Sequence, residues 1–182
     1  MRGSGPSSER GRDVDDRTIA RWRLHRFDDG AYLRTHVLRL TWHVALPDDL
    51  RWLLELTAPR LRRSLASNLR EHDVADATLE RTRPIIAEAV TAGPRTRAEL
   101  GERLLDAGLP GSGSALGLVV MDAELEALVC SGPVRDGAHT YASFVERTPG
   151  ARKLTREEAV AELALRYLTG HGPATESPTG PR

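Results

Sequence analysis

The stretch LRTHVLRLTWHVAL, residues 33–46, sets His36, His43, Arg34, Arg39 and Trp42 among aliphatic residues at alternating spacing. Alternation with a period of two reads as a β-hairpin with one buried face. Turned around Arg39-Leu40, the hairpin pairs Val37 with Trp42, His36 with His43, Thr35 with Val44 and Leu33 with Leu46. Arg-Leu is a poor type I′ turn, so a four-residue loop that keeps this pairing is expected. The buried face then carries Leu33, Thr35, Val37, Trp42, Val44 and Leu46. The open face carries Arg34, His36, Leu38, Thr41, His43 and Ala45. Two adjacent imidazoles could begin a metal site. Zinc takes at least three protein ligands, however, and no acid or cysteine sits in register. His36 and His43 are read as polar residues of an exposed strand face, and no metal is expected.

The other chemistry-bearing residues give little more. Ser131 and His139 fall on opposite strands of a second hairpin, but a Ser–His dyad needs an orienting third group and an oxyanion hole, and CSGP is no nucleophile elbow. Cys130 is the sole cysteine, which excludes an internal disulfide, and it reads as a small buried hydrophobe. GSGSALG at 111–117 has no phosphate-loop lysine and follows no strand. Glu55, Glu99, Glu102, Asp122, Glu124 and Glu126 fall at helical positions read as solvated, with no pair fit for acid–base work. No catalytic residue and no cofactor are expected. The densest basic cluster is Arg60, Arg62, Arg63 and Arg70. It reads as a solvated helix face or as phosphate contacts.

Bulk properties narrow the class. Of the 182 residues, 40% are hydrophobic but only 4% aromatic, so the core must be aliphatic. The formal net charge is zero, so a nucleic-acid footprint has to be local. Lys153 is the only lysine. This fits the composition of a GC-rich genome, or a preference for bidentate phosphate contacts. The sequence shows no signal-peptide stretch and no apolar run long enough to span a bilayer. The expectation is a cytoplasmic protein with no membrane partner.

These residues need elements to hold them. Residues 1–15 and 173–182 are polar and breaker-rich, and are expected to be disordered. Over 16–75, Asp16 caps a helix carrying Ile19, Trp22 and Phe27, which Gly30 ends. The hairpin follows. A helix then opens at Pro47-Asp48-Asp49, and Pro59 divides it from a second helix carrying Leu61, Leu65 and Leu69. Over 76–147, Asp76 caps a helix that Pro84 kinks. Thr96 and Glu99 form a capping box, another helix covers 115–128, and a hairpin turns at Asp136-Gly137. Over 154–172, Thr155 and Glu158 cap a last helix. The fold class is mainly α with β-hairpin wings. The order helix, helix, helix, hairpin over 77–145 is that of a winged helix, a helix-turn-helix variant, so a tandem winged-helix architecture is expected.

FDDGAYLRTHVLRLTWHVALPDDLRWLLELTAPR (27–60) closely resembles a segment of the AlkZ-like DNA glycosylase family, often described only as winged helix DNA-binding domain-containing proteins. The resemblance continues through DATLERTR (76–83), TRAELGERLLDAGL (96–109), MDAELEALVCSGPVRDGAHTYASFVERTP (121–149) and LTREEAVAELALRYLTGHGPAT (154–175). It implies tandem winged helices that bind double-stranded DNA, in a family that excises alkylated or cross-linked bases without a metal, using a Gln-x-Gln or related motif. This sequence contains no glutamine, and it has Leu40 where relatives tend to have proline. It reads as a member cut at both ends, a DNA-repair relative without glycosylase activity. A winged-helix transcriptional regulator and a non-functional gene fragment are the alternatives. Wing residues Arg34, His36, Arg39, His43, Arg135 and His139, with Arg60, Arg62 and Arg63, are the expected DNA contacts.

Overall fold

The computed structural model describes residues 26–171. The expected tails, and the start of the helix capped by Asp16, lie outside the described residues. The end of that helix lies inside: residues 26–28 are helical, and Gly30 stops the chain in a left-handed conformation at φ 73°, as glycine does after a helix C-terminus.

The hairpin follows as β1 (Leu33–His36) and β2 (Trp42–Ala45), but not in the expected register. Leu33 pairs with Ala45, Arg34 with Val44, Thr35 with His43 and His36 with Trp42. The connection uses residues 37–41, with Leu38 at φ 65°, one residue more than the expected loop. A one-residue slip moves a whole strand's side chains to the other face. Leu33, Thr35 and Val37 of the first strand are buried as expected. Trp42, Val44 and Leu46 are about half exposed instead, at 47%, 56% and 48%.

Helix α1 (Pro47–Glu71) runs unbroken through Pro59, where the sequence led us to expect two helices. Proline removes one backbone hydrogen bond, to the carbonyl four residues back. Here that carbonyl belongs to Glu55, and both Glu55 and Pro59 are exposed, so water can take the lost bond. Meanwhile Leu54, Ala58, Leu61 and Leu65 continue one buried stripe across the break. That packing outweighs the local defect. Helix α2 (Asp76–Thr91) carries Pro84 on its exposed side and buries Leu79, Ile86 and Val90; Ala75, not Asp76, is its N-cap residue.

Strand β3 (Arg95–Thr96), helix α3 (Arg97–Asp106), helix α4 (Gly113–Leu125), and strands β4 (Val129–Ser131) and β5 (Thr140–Ser143) complete the middle of the chain. The Thr96–Glu99 capping box is present in both directions. Asp136 and Gly137 both have positive φ, 51° and 77°, as a type I′ hairpin turn requires. The antiparallel sheet has the order β3-β5-β4; its short first strand was not foreseen. Helix α5 (Phe144–Arg147) and helix α6 (Arg156–His171) follow. Thr155 and Glu158 cap α6 reciprocally.

The core is one mainly aliphatic cluster in which Leu33, Leu50 and Leu65 pack with Ile86 and Val119, and with the aromatic Trp52 and Phe144. Helix α4 lies between α1 and α2 and also touches β1. Eight of its thirteen residues are buried, including Leu116, Val119, Val120, Asp122, Ala123 and Glu124. No helix of the described residues is long and apolar enough to cross a membrane.

Candidate functional site

The acids of α4 are not solvated, as the sequence reading had them. The C-terminal half of this helix is packed against other elements, so each acid there takes a partner from another element. Asp122, 2% exposed, accepts two hydrogen bonds from Arg83 of α2, at 2.8 and 3.0 Å. Glu126 pairs with Arg62 at 2.8 Å and Arg83 at 3.1 Å. Glu124, 1% exposed, meets His36 of β1, Nδ1 to Oε2, at 2.5 Å. Burial raises the Glu124 pKa, while the His36 hydrogen bond and the charges of His36 and Arg34 pull it back down. The two side chains are thus hydrogen-bonded to each other in a dry setting. The buried Thr35 hydroxyl lies beside the carboxylate and also helps to lower its pKa.

Above this pair opens a cavity of about 390 Å³, lined by His36, Glu124, Trp42, Tyr141, Met121 and Arg97 among others. Trp42 stands opposite His36 in the ladder, its ring 5.7 Å from the imidazole. The Arg34 guanidinium lies 3.8 Å from the Trp42 centroid, a cation–π contact. His139, from the other hairpin, meets the same indole edge-on at 6.5 Å. Burial pushes the Tyr141 hydroxyl up to about 12, with the Glu124 charge adding to it. Tyr141 therefore stays a proton donor at any ordinary pH. Cys130, also buried, is pushed up to about 12 and is no nucleophile.

Of the expected DNA contacts, Arg34, His36 and His139 gather around Trp42. The others do not join them. His43 turns to the other face of the ribbon from His36, and its Nδ1–H donates to the Thr41 carbonyl at 2.9 Å. The pairing of the two histidines does not exist. Among the described residues, no three His, Cys, Asp or Glu side chains gather as metal ligands. Arg60 donates to the Leu38 carbonyl at 2.6 Å and ties α1 to the hairpin loop. Arg62 donates to the Leu125 carbonyl at 3.0 Å besides its pair with Glu126. Arg135 is engaged by Glu99 at 2.5 Å. Arg39 and Arg63 are exposed, and neither forms an ion pair among the described residues.

Two partners escaped sequence reading. Glu124 was passed over because a helical acid is usually wet, although an acid inside an all-apolar helical run is a signal. Trp42 was assigned to packing because of the mistaken register.

The sequence matches the family described as DNA glycosylase AlkZ-like over residues 9–178. No curated protein matches it. Among solved structures, the DNA glycosylase AlkZ of Streptomyces sahachiroi is similar in fold, with a TM-score of 0.69 at 22% identity. The similarity covers 88% of this chain but 44% of that one, so the chain spans less than half the length of this relative. With nearly all of its sequence inside the family match, the chain belongs to the AlkZ-like DNA glycosylase family.

Proposed function

We propose that this chain is a tandem winged-helix protein that binds double-stranded DNA and does not itself excise a base. The observation that carries the reading is the element order over 76–147. A helix, a short strand, two helices and a hairpin run in sequence, with β5 between β3 and β4. This is a helix-turn-helix extended by a wing. The β1–β2 hairpin is then the wing of a first unit within 16–75, and α6 is the first helix of a third within 154–172. The family is one of DNA glycosylases, so DNA repair is the setting.

Helix α4 holds the place of a recognition helix, yet α1 and α2 cover it. It carries no lysine or arginine, and this weighs against a sequence-reading transcriptional regulator. Contact through hairpins and backbone-directed arginines fits better. The chain contains no glutamine, so the Gln-x-Gln motif cannot act within it. Titration of a labelled duplex is expected to show salt-dependent binding, and an alkylated duplex is expected to release no free base. Absence of binding at low salt would sink the first part, and released base the second.

The arginines divide by their partners. Replacing Arg39 and Arg63 together with alanine should weaken duplex binding and flatten its salt dependence by about two counterions, at roughly one per lost phosphate contact. Arg62→Ala should act mainly on stability, because its guanidinium holds the C-terminal end of α4. An unchanged salt slope for the double variant would remove Arg39 and Arg63 from the interface.

A further inference from the structure

The cavity above the Glu124–His36 pair has a composition that phosphate binding does not explain. Its floor is a buried carboxylate, which repels phosphate. Its wall is a tryptophan that a β-strand leaves 47% exposed, and its volume of about 390 Å³ lies in the range of small-molecule sites, about 300–1,000 Å³. The mutual hydrogen bond uses His36 Nδ1 and Glu124 Oε2. That leaves Nε2 of the imidazole and Oε1 of the carboxylate, two polar atoms of a pair whose side chains both line the cavity. Tyr141 adds an aromatic surface and Arg97 a positive charge on the lining.

An aromatic wall beside an adjacent donor and acceptor is what a nucleobase needs. Its face stacks, and its Watson–Crick edge presents donors and acceptors side by side. We infer that this cavity is a pocket for a single unpaired nucleobase, packed against the Trp42 ring with its hydrogen-bonding edge on Glu124 and His36. The Arg34 guanidinium on the indole holds the ring in place for stacking. The inference rests on the DNA-binding reading only for the source of the base. The pocket chemistry suits a free nucleoside equally.

The test compares a fully paired duplex, the same duplex with one bulged guanosine, and free guanosine, reading both affinity and tryptophan fluorescence. Binding of the bulged duplex is expected to be about tenfold tighter than of the paired one, the scale of one stacked base, and to quench the fluorescence. Trp42→Leu should bring the bulged duplex down to the paired one and abolish the quench. Because Trp42 is exposed, this variant tests the pocket even if the buried Glu124→Gln variant fails to fold. Where Glu124→Gln does fold, it should cut the bulge preference without abolishing stacking. Equal wild-type affinities without quenching, or a preference that survives Trp42→Leu, would overturn the pocket. If neither duplex binds, the DNA-binding reading fails, and guanosine alone decides. A quench lost in Trp42→Leu then sustains the pocket for a free nucleoside, and no quench overturns it. Where both sources quench, the tighter one names the ligand.

Discussion

Replacing Asp49 with alanine is expected to destabilise the protein by about 2–4 kcal/mol and to loosen α6 from α1. Asp49 is 3% exposed and accepts from Trp52 at 3.0 Å, Arg152 at 2.6 Å and Arg166 at 2.5 and 3.1 Å. Burial alone would raise its pKa. The hydrogen bonds from Arg166, Arg152 and Trp52 outweigh burial and hold it at about 2. A drop of roughly two units is worth on the order of 2 kcal/mol, reduced because the guanidiniums are nearly half exposed and screened. The alanine variant adds a cost of about 1–3 kcal/mol, since it leaves the Trp52 Nε1–H buried without an acceptor. Asp49→Asn keeps that acceptor and should lose less. Because the folded pKa is depressed, the contribution is complete above about pH 4 and is lost as pH falls towards 2. Urea titrations between pH 7 and pH 3 should therefore show a smaller acid-induced loss in both variants than in the parent chain. An equal loss in all three would refute this role for Asp49.

The second large effect is expected at His36. His36→Ala leaves Glu124 buried without its partner. At neutral pH this should cost about 3–5 kcal/mol, the usual consequence of removing one member of a buried pair. The pH dependence carries the sharper signature. Burial already raises the Glu124 pKa, and His36 opposes that rise. Without His36 it climbs further. A carboxyl whose folded pKa is raised is protonated more readily in the native state, so stability falls as pH rises above its ordinary value near 4.5. The His36→Ala chain should thus gain stability, relative to the parent, between pH 8 and pH 5. Adding Glu124→Gln, which carries no charge at either pH, should flatten that difference. An unchanged stability difference between the parent and His36→Ala chains at the two pH values would count against a Glu124 carboxylate held down by His36.

Both effects concern contacts between residues far apart in the chain, and this marks the boundary of what could be read beforehand. The sequence by itself determined what depends on neighbours. Both capping boxes, the Asp136-Gly137 turn, the helix stop at Gly30 and the helices with apolar stripes all follow from side chains acting within a few residues. The run of motifs through residues 27–175 was also enough to place the family. Tertiary structure decided the rest. Pro59 is tolerated because its lost bond faces water while the stripe around it packs. The hairpin register depends on a loop that bends through Leu38, and no local rule favours leucine there. Asp122 and Glu124 of α4 became buried partners, and Glu126 at its C-cap a half-buried one, because α1, α2 and β1 pack against that helix and bring Arg83, Arg62 and His36 to them. Asp49 and Glu124 have ordinary helical positions in the sequence, and their chemistry comes from dehydration and partners that only the folded chain supplies.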